Sequence, residues 1–133
     1  MKISISNKAQ SNIENITEFT LKISTNYANR VVNEIYSTIY SIKDAPYIGR
    51  YVPEISDKHY QERICGNYRI IYVVSEKHNT IYIRYIISGK QNSNLFFEVH
   101  KKEIFNFLNR LFNWILLGYI PNQPYVVCKP LPP

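Results

Sequence analysis

QERICGNYRIIY, residues 61–72, decides the fold, because two strand-like runs meet there at Gly66-Asn67. In an extended chain successive side chains point to opposite faces, so Tyr68, Ile70, Tyr72 and Val74 share one side and Arg69, Ile71 and Val73 the other. Glycine followed by asparagine between such runs is a tight-turn signal. A second run, TIYIRYII at Thr80 to Ile87, follows the polar connection Ser75 to Asn79. Strict alternation places Ile81, Ile83, Tyr85 and Ile87 on one face and Tyr82, Arg84 and Ile86 on the other.

Upstream the period changes from 2 to 3.6. Ala9, Ile13, Ile16, Phe19 and Ile23 fall on one helical face, as do Ala28, Val31, Val32, Ile35, Ile39 and Ile42. Asn7 with Gln10 reads as a capping box for the first helix, and Asn26 as the cap of the second. The break between them is short, which favours an antiparallel helical hairpin. Ala45-Pro46 ends the second helix, since the residue before proline is pushed out of the helical region, and Gly49 marks a loop. Lys2 to Ser6 alternates Ile3 and Ile5 with polar neighbours and reads as a first strand. The expected fold class is α+β: an N-terminal strand, an antiparallel helical hairpin on one face of an antiparallel sheet, a three-stranded meander and an added C-terminal helix.

That order, with GRYVPE at Gly49 to Glu54, Glu62 ahead of the turn, GNYRIIY at Gly66 to Tyr72 and an Ile-rich strand ending at Ser88-Gly89, resembles the RelE/ParE superfamily of bacterial toxins. The resemblance covers residues 1–95. It implies a toxin of a type II toxin–antitoxin system, held inactive by a cognate antitoxin docked in an apolar groove beside the helices. Once released, such a toxin acts on mRNA translated at the ribosome or on DNA gyrase. The first expectation is a ribosome-dependent, metal-independent mRNA endonuclease. The alternatives are a ParE-like gyrase inhibitor and a degenerate, non-toxic protein that still binds antitoxin. No cofactor is implied, and the expected compartment is the bacterial cytoplasm.

Composition bounds these readings independently. The 133 residues suit one domain able to fold without disulfides, and the formal charge is +6. A basic surface suits nucleic acid, a ribosome or an acidic peptide, and also suits plain solubility. Cys65 and Cys128 share no metal-binding spacing and are expected as reduced thiols, while His59, His78 and His100 are scattered, so no metal site is expected.

A metal-free ribonuclease must activate the ribose hydroxyl, neutralise the phosphate and protonate the leaving oxygen. Arg69, Lys90 and Arg63 are the candidate catalytic residues, and Arg50 and Arg84 candidate phosphate contacts. Glu54 is a possible general base, although a loop-pinning pair with Arg50 is the stronger expectation; Glu62 is expected to be structural, and Tyr68 and Tyr72 to pack in the core. The chain departs from the superfamily's pattern at two places. Gln61 stands where an arginine is usual, with Arg63 displaced about 7 Å along the same face. Ser88 stands where a histidine precedes glycine and a basic residue, which removes the imidazole that can shuttle a proton near neutral pH.

Beyond residue 95 the resemblance ends. Residues 96–120 are apolar around most of a helix, but Asn106, Asn109, Arg110 and Asn113 interrupt them and the span is short for a membrane crossing. Three readings stay open: a helix packed on the toxin core, a helix for a partner or membrane surface, and a tail added by loss of a stop codon. Residues 121–133 are proline-punctuated, have no core-forming period and are expected to be poorly ordered.

Overall fold

The computed structural model describes residues 1–89, 91–117 and 125–128, with side chains for 1–89 and 91–111. Strand β1 (Lys2–Ser6) runs into helix α1 (Asn7–Leu21), and α2 (Thr25–Ser41) follows as its hairpin partner. Then come β2 (Arg50–Tyr51), β3 (Tyr60–Cys65), β4 (Tyr68–Ser75), β5 (Thr80–Ser88), α3 (Ser93–Leu117) and β6 (Tyr125–Cys128). The sheet has six strands in the order β2-β3-β4-β5-β1-β6. β3, β4 and β5 form the expected antiparallel meander, whereas β1 pairs parallel to β5, with Lys2 opposite Thr80. The sheet is therefore mixed.

Both helices are capped by serine and not by the asparagines expected from sequence. The Ser6 hydroxyl accepts the Ala9 amide at 3.0 Å, and the Ser24 hydroxyl accepts that of Tyr27 at 3.0 Å. Each serine has extended backbone immediately before its helix, as an N-cap requires. The buried seam of α1 contains Ala9, Ile13 and Thr20, with Ile16 partly buried, while Phe19 and Ile23 are solvent-exposed. Thr20 can stand in a buried position because its hydroxyl donates to the Ile16 carbonyl at 2.8 Å. In α2, Ala28, Val31, Ile35 and Ile39 are buried as the 3.6 period predicts, and Ile42 joins them at the C-cap.

Two cores lie on opposite faces of the sheet. One joins the α1/α2 hairpin to Ile3, Ile5, Ile70, Tyr72, Ile81, Ile83 and Ile86. The other packs Phe96, Phe97, Ile104, Phe107, Leu108 and Leu111 of α3 on Tyr60, Ile71, Val73, Tyr82, Tyr85 and Ile87. The result is a three-layer α/sheet/α arrangement. Phe105 of α3 is exposed, and the side chains of residues 112–117 lie outside the described residues. β6 falls within the stretch expected to be poorly ordered, the rest of which is outside the described residues.

The alternation of β5 does not run unbroken. Its register with β4 passes from Tyr72 opposite Ile83 to Ile71 opposite Tyr85, which leaves Arg84 as the extra residue of a β-bulge. Facing parity therefore flips: Tyr85 and Ile87 join Tyr82 against α3, and Ile86 joins Ile81 and Ile83 against the hairpin.

Candidate functional site

The two-residue turn Gly66-Asn67 fixes which side chains meet. Gly66 adopts φ 58°, a left-handed conformation at the first central position that suits a tight hairpin, so Cys65 pairs with Tyr68 and Ile64 with Arg69. Directly opposed residues share a face. Arg69 and Glu62 thus lie on the α3 side, while Gln61, Arg63 and Cys65 lie on the side of the helical hairpin with Tyr68, Ile70 and Tyr72. The short strand β2 places Arg50 opposite Glu62.

Four charged side chains converge on the α3 side. Arg69 donates from Nη1 and Nη2 to the two Glu54 oxygens at 2.6 and 2.8 Å, and from Nε to Glu62 Oε2 at 2.7 Å. The other Glu62 oxygen accepts from Arg50 Nε. Glu62 has no exposed side-chain surface, Glu54 and Arg69 retain little, and Arg50 reaches into solvent with 63% of its side chain exposed. Phe97 of α3 lies 5.7 Å from the Arg69 guanidinium. Arg50 therefore pairs with Glu62, and the expected Arg50–Glu54 pair is replaced by Arg69–Glu54. Strand register decides this: Arg50 faces Glu62 across β2 and β3, leaving Glu54 to the next guanidinium in the row.

The electrostatics follow from this geometry. Hydrogen bonding from Arg69 is the main cause that lowers the Glu54 carboxyl to a pKa of about 2, with Ser93 also contributing and burial opposing. The same bond to Glu54, reinforced by Glu62, raises the pKa of Arg69. A carboxyl depressed on folding contributes stability that is present above its unfolded value, near 4.3, and is lost as pH falls towards the folded value. We therefore expect acid unfolding to have a component between about pH 4.5 and pH 2. In Glu54→Gln that component should vanish, leaving a flatter acid limb in denaturation measured across this window. An unchanged limb would remove Glu54 as its source.

The remaining sequence candidates are dispersed. Arg63 donates to Ser41 Oγ at 3.2 Å and to the Ala45 carbonyl at 2.9 Å, holding the end of α2 on the face opposite Arg69. Gln61 is buried there, and its Oε1 has no hydrogen-bond partner among the described residues. Arg84 is buried beneath α3 with its guanidinium 3.9 Å from the Phe107 ring centre. The face it was expected to share with both Tyr82 and Ile86 does not exist, because the bulge puts those two residues on opposite sides of the sheet. Tyr72 is fully buried and donates to the Pro46 carbonyl at 2.9 Å, and Tyr68 packs at the border of the hairpin core. Lys90 lies outside the described residues, as does the side chain of Cys128, while Cys65 is a buried free thiol.

Among the described residues, no three His, Cys, Asp or Glu side chains come together to hold a metal, and no helix is long and apolar enough to cross a membrane. Sequence reasoning had no local signal for Phe97 or Ser93, whose contacts with the charged cluster come from α3 lying across it.

The family model described as "ParE toxin of type II toxin-antitoxin system, parDE" matches residues 3–93. The chain belongs to this ParE toxin family of type II toxin–antitoxin systems. Its fold is similar to a solved structure described as "Chromosomal ParDE TA system from P. aeruginosa". That match has a TM-score of 0.55 and 16% sequence identity, and covers 66% of this chain and 95% of that one. No curated protein matches the sequence.

Proposed function

We propose that this toxin, partnered by a cognate antitoxin, acts on DNA gyrase by binding it and does not cleave mRNA. The observation that carries the reading is the closed charge balance around Arg69: two guanidinium groups meet two carboxylates, and Arg69 gives hydrogen bonds to both. A guanidinium so engaged has little residual charge to offer a scissile phosphate, and freeing it would strand a buried carboxylate. Arg63 points to the opposite face, and Ser88 supplies no imidazole. A target bound through surface complementarity needs none of these groups. The cytoplasm, where gyrase works, is the proposed compartment.

Controlled expression in a bacterial host, with radiolabelled DNA and protein synthesis followed after induction, tests this, alongside supercoiling by purified gyrase without ribosomes. An early fall in DNA synthesis and inhibited supercoiling are expected. An early fall in protein synthesis with cut mRNA would overturn the reading and return Arg69, Lys90 and Arg63 to catalytic candidacy. Soluble protein that leaves growth and supercoiling untouched would identify a non-toxic antitoxin-binding form.

A further inference from the structure

The bulge in β5 is held open by α1. Ser6 Oγ donates to the Arg84 carbonyl at 2.8 Å, and the Ile86 amide donates to Asn12 Oδ1 at 3.1 Å, so the N-cap side chain of α1 and one from its second turn satisfy backbone groups near the bulge. Bulges re-aim side chains and concentrate beside functional sites. Here a pocket of about 540 Å³ opens next to the bulge, between the first residues of α1 and the middle of α3. Pockets for small ligands span roughly 300 to 1,000 Å³.

Its lining is polar and positively charged. Lys8, Arg84 and Arg110 face it together with a single carboxylate, Glu103, which accepts from the Tyr85 hydroxyl at 3.3 Å. Three cations against one anion leave an excess of positive charge. The pocket also adjoins the N-terminal end of the 15-residue helix α1, the positive end of its dipole. Asn106 and Asn109 stand beside Arg110 on α3. An asparagine side chain presents one donor and one acceptor edge, the pattern that nucleobase edges complement. Neither Arg69 nor the carboxylates that hold it line this pocket.

We propose that this pocket binds the phosphate of a nucleotide, gripped by Lys8 and Arg110 with Arg84 behind them, and sets the base against Asn106 and Asn109. The phosphate can come from a free mononucleotide or from the end of a nucleic-acid strand. The site is independent of the gyrase reading, because it shares no residue with the Arg69 cluster and its binding is measured without host or gyrase.

The test is calorimetric titration of the full chain with adenosine and guanosine monophosphates, the two nucleosides, inorganic phosphate and a 5′-phosphorylated oligonucleotide. Nucleoside monophosphates should bind at least about tenfold more tightly than the nucleosides. Lys8→Ala and Arg110→Ala, both at exposed positions, should each weaken binding about tenfold or more without lowering the melting temperature, while Lys22→Ala at the far end of α1 leaves it unchanged. Equal affinity for mononucleotide and oligonucleotide identifies a free nucleotide as the source, and tighter oligonucleotide binding identifies a strand end. No saturable binding of any phosphate at millimolar concentration, or wild-type affinity in both alanine variants, would overturn the proposal.

Discussion

Glu62→Ala is expected to cost about 3 to 5 kcal/mol of folding stability, the range for removing one member of a buried ion pair. Glu62 has no exposed side-chain surface and accepts from both Arg50 and Arg69, so its loss leaves a largely buried guanidinium with Glu54 alone. In a domain of this size the melting temperature should fall by roughly 10 to 20 °C. Arg50→Ala removes the other end of the same contact, but its side chain is mostly in water, and a cost below about 1 kcal/mol is expected. Replacing Glu54, Glu62 and Arg69 together by leucine and methionine should recover much of the Glu62→Ala loss, because no charge is then left stranded. Thermal and denaturant unfolding of these variants separates the cases. A near-neutral Glu62→Ala would mean that Arg69 is satisfied by Glu54 alone.

Gly49→Ala is expected to be almost as damaging, at about 3 kcal/mol, the upper end of overpacking costs. A Cβ at this position would come within 2.1 Å of the Tyr72 hydroxyl oxygen and 2.8 Å of the Glu62 carbonyl. Neither neighbour can yield easily. Tyr72 is fully buried with its hydroxyl held by the Pro46 carbonyl, and the Glu62 backbone belongs to the β2–β3 pairing. Tyr72→Phe alone should cost about 1 kcal/mol through the lost hydrogen bond. Because that variant also removes the atom nearest the new methyl group, the double variant should be more stable than the sum of the single losses implies. A Gly49→Ala protein within about 0.5 kcal/mol of the parent would show that the loop shifts freely.

Much of this architecture was legible because its signals are local. Helix periodicity identified the buried face of α2 apart from Val32, which is half-buried, and Gly66-Asn67 identified the β3–β4 hairpin. The same turn also held a signal that strand-by-strand reading passed over. A two-residue loop pairs Cys65 with Tyr68, and counting back from there puts Arg63 and Arg69 on opposite faces. The bulge at Arg84 left no such trace. TIYIRYII is apolar on both faces because helices cover both, so a flip of parity changes nothing in its pattern. Nor could charge alone assign Arg50 to Glu62 over Glu54, since both carboxylates lie within reach in sequence and only the register of a two-residue strand chooses between them. Phe19 was misplaced for a related reason: Thr20 takes the buried position of α1 by returning its hydroxyl to the helix backbone.

The parallel pairing of β1 with β5 bears on when this protein can exist as a folded object. The strand made first must wait for Thr80 to Ser88 before it finds its neighbour, whereas the α1/α2 hairpin is complete once Ser41 is available. At a synthesis rate of about 5 to 20 residues per second, the nascent helices precede the closed sheet by roughly 2 to 10 seconds. Contacts so distant in sequence also form slowly once the chain is free. Any surface that needs β1 and β5 side by side is thus completed only after Ser88 has been made, well after the helical hairpin.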